Sequence, residues 1–289
     1  MEGKRKALAE RLRKPGLVVA PGVFDLISAK IADRMGFDCL YATGYGIVAS
    51  YLGLPDAGLA TYTDMVARVA QIAARTSTPL VADADTGYGG LLNVQHTVRG
   101  YEDAGACAIQ LEDQEFPKKC GHMLGRRVLA TEEMAAKVRV AVESRRDRDF
   151  LVVARTDART SLGLDEALRR GERYLRAGAD VLFIESPESL EEMRRIGRAF
   201  EGVPLLANMV HGGGRTPLVD RATLRELGYR IAIYPALGFL AVAAAFETAL
   251  QELKADKAVS LQLYDFKAFS ALMGFDWVSE FDRRYRDAD

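Results

Sequence analysis

Two aspartates at the end of an apolar run are the residues of this sequence best suited to chemistry. Asp83 and Asp85 follow the apolar residues 80–82 and lead into a Thr-Gly turn and a glycine-rich loop. On a strand, this spacing places both carboxylates on one side, where they repel each other unless a cation intervenes. Mg²⁺ prefers oxygen ligands of this kind. A plain turn is the alternative interpretation, since Asp, Thr and Gly favour turns.

A second chemical motif lies in the charged segment that follows Glu112. This segment contains Lys118, Lys119, Cys120 and His122, and it is long enough to form a lid. Neighbouring cations lower the pKa of a thiol, so we expect Cys120 to have a lowered pKa and to exchange protons near neutral pH. The chain has no Cys-x-x-Cys or His-x-x-x-His spacing, which argues against zinc.

A repeated pattern predicts the elements that position these residues. Helix ends are followed by a glycine and a short buried strand at Gly36, Gly105, Gly178 and Gly228. With four further apolar runs, the pattern predicts eight strands, most of them separated by helices, and therefore a parallel sheet buried on both faces. Eight such units in about 250 residues favour a (β/α)₈ (TIM) barrel. A doubly wound open sheet is the alternative.

Polar residues at the strand ends favour the barrel, because its strands deliver their carboxyl ends to one mouth. These residues are Thr43, Asp83, Asp85, Glu112, Arg155, Asp157, Glu185 and Asn208. The segment 43–49 also loosely matches a dinucleotide-binding fingerprint. Gly53, Pro55 and Gly58 would cut short any helix there, so we expect a loop whose backbone N–H groups meet a carboxylate.

The composition indicates a soluble globular protein, and the length fits one large domain or two ordinary ones; with the barrel pattern, we expect a single domain, residues 1–289. A net charge of −1 without a basic stripe argues against nucleic-acid binding. No apolar run is long enough to span a membrane. Three scattered cysteines indicate reduced thiols and a cytoplasmic location, and Cys39 and Cys107 are expected to be buried.

The C-terminal region, residues 236–289, is predicted to be helical and contains more apolar surface than a barrel needs. Residues 236–246 are apolar all round, so this helix must be covered on more than one side. Phe266, Trp277 and Phe281 add aromatic surface. We expect the region to pack on a neighbouring subunit, with a tail folded back on its own barrel as the alternative.

Four motifs, in order along the chain, resemble the isocitrate lyase/phosphoenolpyruvate mutase superfamily. They are Gly44 with Leu52–Asp56, Asp83–Gly89, Lys118–His122 and Ala154–Asp157. The Lys-Lys-Cys-Gly-His loop resembles the carbon–carbon lyase branch of that superfamily. The resemblance implies a (β/α)₈ barrel whose eighth helix is exchanged between subunits, a homotetramer, and one Mg²⁺, or Mn²⁺ in its place, that binds a 2-oxo acid.

The resemblance also implies a role for each site residue. Asp83 and Asp85 would hold the metal, and Glu112 would reach it directly or through water. Cys120 would be the acid/base on the lid, with Lys118 and His122 beside it. The substrate-binding residues would be Thr43, Gly44, Tyr45, Asp56, Gly121, Arg155, Glu185 and Asn208.

The chain departs from the methylisocitrate-cleaving members of that branch, which have an arginine in the eighth unit where segment 234–240 has none. Each buried carboxylate needs a charged partner, so the missing arginine argues for a dicarboxylate substrate. We predict a Mg²⁺-dependent lyase that splits a substituted malate, 2,3-dimethylmalate-like or methylisocitrate-like, into a 2-oxo acid such as pyruvate and a carboxylate by retro-Claisen (retro-aldol) chemistry. The alternatives are a phosphonopyruvate or carboxyphosphonoenolpyruvate mutase, an oxaloacetate decarboxylase or hydrolase, and a protein that binds a 2-oxo acid without turnover.

Overall fold

Eight parallel strands form a closed barrel in chain order in the computed structural model, which describes residues 2–286. Each strand pairs with the next, and the last pairs with the first. Strands β1 to β8 are Val18–Val23, Leu40–Ala42, Leu80–Asp83, Ala108–Glu112, Leu151–Thr156, Val181–Ile184, Leu205–Asn208 and Tyr229–Tyr234. The predicted barrel is confirmed, and the open sheet is excluded.

Helices separate the strands and continue beyond the last one. In chain order, α1 to α13 are Glu2–Arg13, Leu26–Arg34, Gly44–Leu52, Tyr62–Arg75, Leu91–Asp103, Thr131–Ser144, Ala158–Leu162, Leu164–Arg176, Leu190–Ala199, Arg221–Glu226, Leu237–Lys254, Phe266–Met273 and Phe275–Arg286. The C-terminal region is therefore helical, as predicted.

Local sequence explains most of these boundaries. Every residue of β3, β4 and β5 is buried, as expected for parallel strands covered on both faces. Glycines in the left-handed conformation follow the helix ends, for example Gly105 (φ 93°) and Gly178 (φ 104°). Helix α4 begins with a capping box formed by Thr61 and Asp64. Each helix thus ends where the chain must turn back into the barrel.

The chain divides into two compact units between Phe239 and Leu240. The first unit contains the barrel, and the second contains most of α11 together with α12 and α13. In the part of the chain described, none of these three helices has a buried residue; Phe246 is 63 % exposed and Trp277 is 66 % exposed. Packing of residues 236–289 on a neighbouring subunit stays a prediction, as does the single domain. No helix within residues 2–286 combines the length and apolarity needed to cross a membrane.

Candidate active site

The carboxyl end of the barrel brings together the strand-end residues that the sequence singled out. They are at most 8 % exposed and comprise Thr43, Asp83, Asp85, Glu112, Arg155, Asp157, Glu185 and Asn208. Charged groups at this depth are stable only when they are paired with one another or with a bound ion. The mouth of the barrel therefore holds several buried charged groups close together.

The two candidate metal-binding aspartates are held close together by a turn. Strand β3 ends at Asp83, and Asp85 lies in the following turn with a φ of 49°. The backbone N–H of Asp85 donates a hydrogen bond to Asp83 Oδ1 at 3.1 Å. The expectation that a strand aligns both carboxylates was wrong, because Asp85 lies beyond the strand. The structure has the turn that was the alternative interpretation, and this turn keeps the two residues adjacent.

The electrostatics of this turn suit a cation. Burial, the largest effect, raises the pKa of Asp85 to about 6; Lys118 opposes the shift and Asp83 adds to it. Burial also raises the pKa of Glu112 well above its usual value, although Arg155 opposes the shift. Both carboxylates would be more stable as anions beside an additional positive charge.

Free oxygen atoms at the mouth support the same conclusion. Glu112 Oε1 and Gln110 Oε1 are buried and have no hydrogen-bond partner, whereas Asp85 Oδ1 is buried and lies 2.7 Å from the ammonium of Lys118. The amide of Gln110 donates to Asp83 Oδ1 at 3.4 Å. Among residues 2–286, no three His, Cys, Asp or Glu side chains form a ready-made ligand cluster. Mg²⁺ commonly binds through one or two carboxylates and keeps several waters, so Asp83 and Asp85 fit this ion.

The segment 113–130, here called the lid, connects β4 to α6 and lies over the barrel mouth. Lys118 is 4 % exposed; its ammonium pairs with Asp56 and lies 2.7 Å from Asp85 Oδ1. The backbone N–H of Cys120 donates to the carbonyl oxygen of Asp56 at 3.0 Å. Burial alone would lower the pKa of Lys118, but Asp85 and Asp56 together raise it well above its usual value. Asp56 thus anchors the lid through both its side chain and its backbone.

The thiol of Cys120 does not have the lowered pKa that its sequence neighbours suggested. Burial, the largest effect, raises the pKa; Asp56 adds to the rise, and the backbone N–H of His122, Arg155 and Lys118 only partly oppose it. The expectation was wrong because a thiolate loses more by leaving water than it gains from these cations. Near neutral pH Cys120 is therefore a protonated thiol, the form that can donate a proton.

His122 connects the lid to the far side of the mouth. Its Nδ1 accepts a hydrogen bond from the backbone N–H of Arg215 at 3.1 Å, and its Nε2 lies 3.2 Å from Asn208 Nδ2. The same amide nitrogen of Asn208 donates to Glu185 Oε2 at 3.0 Å. Burial lowers the pKa of His122 despite the opposing charge of Glu185. The imidazole is thus neutral and fixed in place.

Arg155 is the central cation of the mouth. Its guanidinium donates two hydrogen bonds of 2.9 Å to Asp157 and forms ion pairs with Glu112 at 3.3 Å and Glu185 at 3.4 Å. Burial alone would lower the pKa of Arg155, but these carboxylates raise it well above its usual value. A Cβ on Gly121 would overlap the guanidinium and lie 3.0 Å from Glu185 Oε2. Only glycine therefore allows the lid to come this close.

The chain after β2 forms a helix instead of the predicted loop. Helix α3 begins directly after Thr43, whose side chain makes no cap hydrogen bond, and ends at Gly53 with a φ of 65°. The prediction was wrong because Gly53 only ends the helix after nine residues and does not stop the helix from forming. The first N–H groups of a helix have no intrahelical acceptor and favour anions, so the expected carboxylate contact keeps a physical basis. A Cβ on Gly44 would lie 2.7 Å from Asp83 Oδ2, which places this helix end beside the aspartates.

Two polar residues that the sequence did not single out also line the mouth. Arg126 is 5 % exposed and pairs with Asp157. Ser186 donates from its hydroxyl to the carbonyl oxygen of Gly121 at 3.0 Å. Nothing local distinguishes Arg126 from Arg127, whose side chain is 76 % exposed. The signals available in the sequence were the position of Arg126 on the lid and the position of Ser186 directly after Glu185.

Known proteins are similar to this chain in fold and in sequence. The sequence matches the phosphoenolpyruvate phosphomutase family over residues 8–254. It is 50 % identical to the 2,3-dimethylmalate lyase of Eubacterium barkeri over 281 residues, 96 % of each chain. It is 42 % identical to the 2-methylisocitrate lyase of Aeropyrum pernix over 282 residues, 98 % of this chain and 89 % of that protein. The structure of oxaloacetate acetylhydrolase with 3,3-difluorooxalacetate superposes with a TM-score of 0.92 at 35 % identity, over 98 % of this chain and 97 % of that one.

The chain therefore belongs to the phosphoenolpyruvate mutase/isocitrate lyase superfamily, as its four motifs indicated. Within that superfamily, the two sequence relatives are named as lyases of small carboxylic acids, and they confirm the predicted class of carbon–carbon lyase. The arrangement of the mouth is the basis for proposing a substrate.

Proposed function

We propose that this chain is a Mg²⁺-dependent lyase that cleaves a substituted malate into a 2-oxo acid such as pyruvate and a carboxylate. The observation that carries the proposal is the position of the Cys120 thiol, which the lid holds over the barrel mouth and whose pKa is raised by burial. A reaction that leaves an enolate needs a proton donor for carbon. The 50 % identity to a 2,3-dimethylmalate lyase supports a substrate of the same chemical class.

Asp83 and Asp85 would hold the metal, with Glu112 reaching it directly or through water. The adjacent buried carboxylates of Asp83 and Asp85 and the buried, unpartnered Oε1 of Glu112 fit a hard divalent cation, and Mn²⁺ accepts the same oxygen ligands. When bound, the cation would supply Lewis acidity that favours loss of the substrate's hydroxyl proton and stabilises the oxo product.

Two sets of groups would hold the substrate carboxylates. The N-terminal N–H groups of α3, at Gly44 and Tyr45 after Thr43, offer one site. Arg155 offers the other, and its two hydrogen bonds to Asp157 fix the plane of the guanidinium. The remaining pocket residues would be Asp56, Gly121, Glu185 and Asn208.

Cleavage requires a balanced movement of protons and electrons. The substrate hydroxyl loses a proton, the bond to the neighbouring carbon breaks, and the bonding pair remains on the departing carboxylate as an enolate. When Glu112 reaches the metal through water, its buried, unpartnered Oε1 is available to accept the hydroxyl proton. Cys120 then donates its thiol proton to the enolate carbon, while Lys118 and His122 keep the lid closed against water.

The wall of the mouth near α3 favours an alkyl-substituted dicarboxylate. The rings of Tyr45 and Phe239 are 5.3 Å apart, and Phe239 also meets Phe24 at 6.3 Å. Segment 234–240 supplies no cation there, and a third buried carboxylate would need one. A 2,3-dimethylmalate-like substrate therefore suits this wall better than a methylisocitrate-like tricarboxylate.

The superposition on oxaloacetate acetylhydrolase favours oxaloacetate cleavage as the second candidate function. A phosphonopyruvate or carboxyphosphonoenolpyruvate mutase is less well supported, because transfer of a phosphoryl group needs no acid for carbon. Oxaloacetate decarboxylation also leaves an enolate that needs a proton on carbon, so the substrate panel, and not the lid thiol, distinguishes it from the proposed lyase. A binding protein without turnover would have no use for a proton donor over the mouth.

A substrate panel tests the proposal. Malate, 2-methylmalate, 2,3-dimethylmalate, methylisocitrate, oxaloacetate and phosphonopyruvate would be incubated with the enzyme in Mg²⁺ or in EDTA, and the products measured by NMR. We expect the fastest 2-oxo acid release from an alkyl malate, and its loss in EDTA. Turnover of oxaloacetate alone would instead indicate the hydrolase or decarboxylase, turnover of phosphonopyruvate alone the mutase, and no turnover a binding protein.

We also propose a homotetramer in which α11 packs on a neighbouring subunit. The support is the apolar surface of this helix, none of whose residues is buried in the single chain described. Exposed apolar surface of this extent is characteristic of an interface.

A further inference from the structure

The turn that holds the candidate metal-binding aspartates is supported from outside the barrel. This turn and the glycine-rich chain after it, residues 83–90, are here called the aspartate loop. Tyr101 of α5 donates from its hydroxyl to the carbonyl oxygen of Asp83 at 3.1 Å. Lys137 of α6 donates from its ammonium to the carbonyl oxygen of Thr86 at 3.0 Å. Neither side chain has a task in the proposed chemistry.

The aspartate loop needs such support because its backbone is strained. Asp85 and Tyr88 have φ values of 49° and 59°, a region that residues other than glycine rarely occupy. Such a conformation costs free energy and persists only when its surroundings impose it. The direction of the Asp85 carboxylate follows from this backbone conformation.

Lys137 is an unusual residue for this position. It is 6 % exposed, and among residues 2–286 its ammonium has one hydrogen-bond acceptor, a carbonyl oxygen. Burial lowers its pKa, which Glu133 of the same helix partly opposes. A buried cation without a paired carboxylate is costly, and an apolar side chain of the same length would avoid that cost. The hydrogen bond to the aspartate loop offers the compensating role.

Tyr101 connects the two ends of the aspartate loop. The hydroxyl groups of Tyr88 and Tyr101 are 2.8 Å apart. Because Tyr101 uses its proton on Asp83, Tyr88 is the donor between them. Burial raises the pKa of both hydroxyls well above the usual value, so both remain donors. The start of the loop is thereby tied to its later half.

We propose that Lys137 and Tyr101 are positioning residues that fix the aspartate loop so that Asp83 and Asp85 can bind a divalent cation together. The inference rests on the proposed function, since it assumes that these aspartates bind the metal. It assigns the affinity for the cation partly to two side chains that lie behind the loop and touch neither metal nor substrate.

Binding of Mn²⁺ to the full-length protein without substrate tests the inference directly. Lys137→Met keeps an unbranched side chain of similar length and removes the donor; Arg139→Met changes an exposed cation of the same helix and is the control. Electron paramagnetic resonance of free Mn²⁺ measures the dissociation constant. We expect Lys137→Met to weaken Mn²⁺ binding by about 10- to 100-fold, the usual effect of losing support behind a metal ligand, and Arg139→Met to leave it unchanged.

A second pair of variants keeps the test independent of folding. Tyr101→Phe removes one hydroxyl, and Tyr229→Phe, which removes another buried hydroxyl from β8, is its control. We expect about a tenfold or greater loss of Mn²⁺ affinity in Tyr101→Phe alone. In the assay of 2-oxo acid release, Lys137→Met and Tyr101→Phe should each raise the Mg²⁺ concentration needed for half-maximal rate by a larger factor than they lower kcat. Circular dichroism checks that each variant is folded.

The outcomes separate the two proposals. Suppose that the wild-type chain binds Mn²⁺ and that folded Lys137→Met or Tyr101→Phe binds it with an affinity within about twofold of the wild-type value, a change well below the expected range. That result would overturn the positioning role and leave the proposed lyase intact. A wild-type chain that binds no Mn²⁺ would overturn both proposals.

Discussion

Replacing Cys120 with serine tests the proposed proton transfer most directly. The substitution keeps the size of the side chain and its place on the lid, where the backbone N–H of Cys120 contacts Asp56. It replaces a thiol with a hydroxyl that is far less acidic. Because burial raises the pKa of Cys120, the wild-type thiol is protonated near neutral pH. The whole enzyme population therefore carries the acid, and its loss should appear in full.

The expected loss in kcat is about 10²- to 10⁴-fold, the usual contribution of a positioned general acid. This corresponds to about 2.7–5.4 kcal/mol of transition-state free energy. Affinity for the 2-oxo acid product should change little, because Asp83, Asp85 and the N-terminus of α3 are unaltered. The structure therefore predicts a defect in turnover without a defect in binding.

The pH profile provides a second readout from the same enzyme. A raised pKa keeps the thiol protonated to higher pH, so ionisation of Cys120 should lower wild-type kcat on the alkaline side, above the usual pKa of a thiol. In Cys120→Ser this alkaline decline should disappear. A wild-type decline that begins below neutral pH would show that Cys120 ionises more easily than its buried position allows.

The assay follows 2-oxo acid release from the best malate of the panel, and calorimetry measures product affinity. Cys107→Ala is the control, since this buried thiol precedes β4 at the opposite end of the barrel from the mouth. A Cys120→Ser enzyme within about threefold of wild type, far less than a general acid contributes, would refute the assignment of Cys120 as the acid and with it the proposed mechanism.

Three further predictions test the metal, the lid and the assembly. Asp85→Ala should abolish 2-oxo acid release and leave the fold intact, because Asp85 lies in a turn beyond β3; near-normal turnover in added Mg²⁺ would contradict the metal assignment. Gly121→Ala should lower kcat by about 100-fold, because the added Cβ overlaps Arg155; an unchanged kcat would mean that the lid need not approach Arg155. Sedimentation at micromolar concentration should show a tetramer, and a monodisperse monomer would exclude the subunit packing.

The barrel could be predicted because its signals are local. Apolar runs mark the strands, and β3 has the predicted bounds, Leu80–Asp83. The glycines after the helices have the positive φ that ends a helix, as at Gly36 and Gly228. The order of polar residues at the strand ends then indicated the mouth, because a closed parallel barrel delivers those ends to one face. Cys39 and Cys107 are fully buried, as their apolar neighbours indicated.

The chemistry of the mouth depended on contacts that no local pattern contains. Lys118 and Asp56 are 62 positions apart, yet their ion pair helps to hold the lid closed. Cation neighbours in the sequence suggested a lowered thiol pKa at Cys120, whereas burial in the closed lid raises it.

Sequence alone therefore determined the barrel, the family and the residue types available for catalysis, since these follow from periodicity, turn chemistry and motif order. Tertiary structure decided which groups lose water and which partners they meet. It made Arg126 a buried partner of Asp157 while Arg127 stays exposed, and it placed the ammonium of Lys137 behind the aspartate loop. Desolvation and pairing set the pKa and direction of each group, and both depend on residues that only folding brings together.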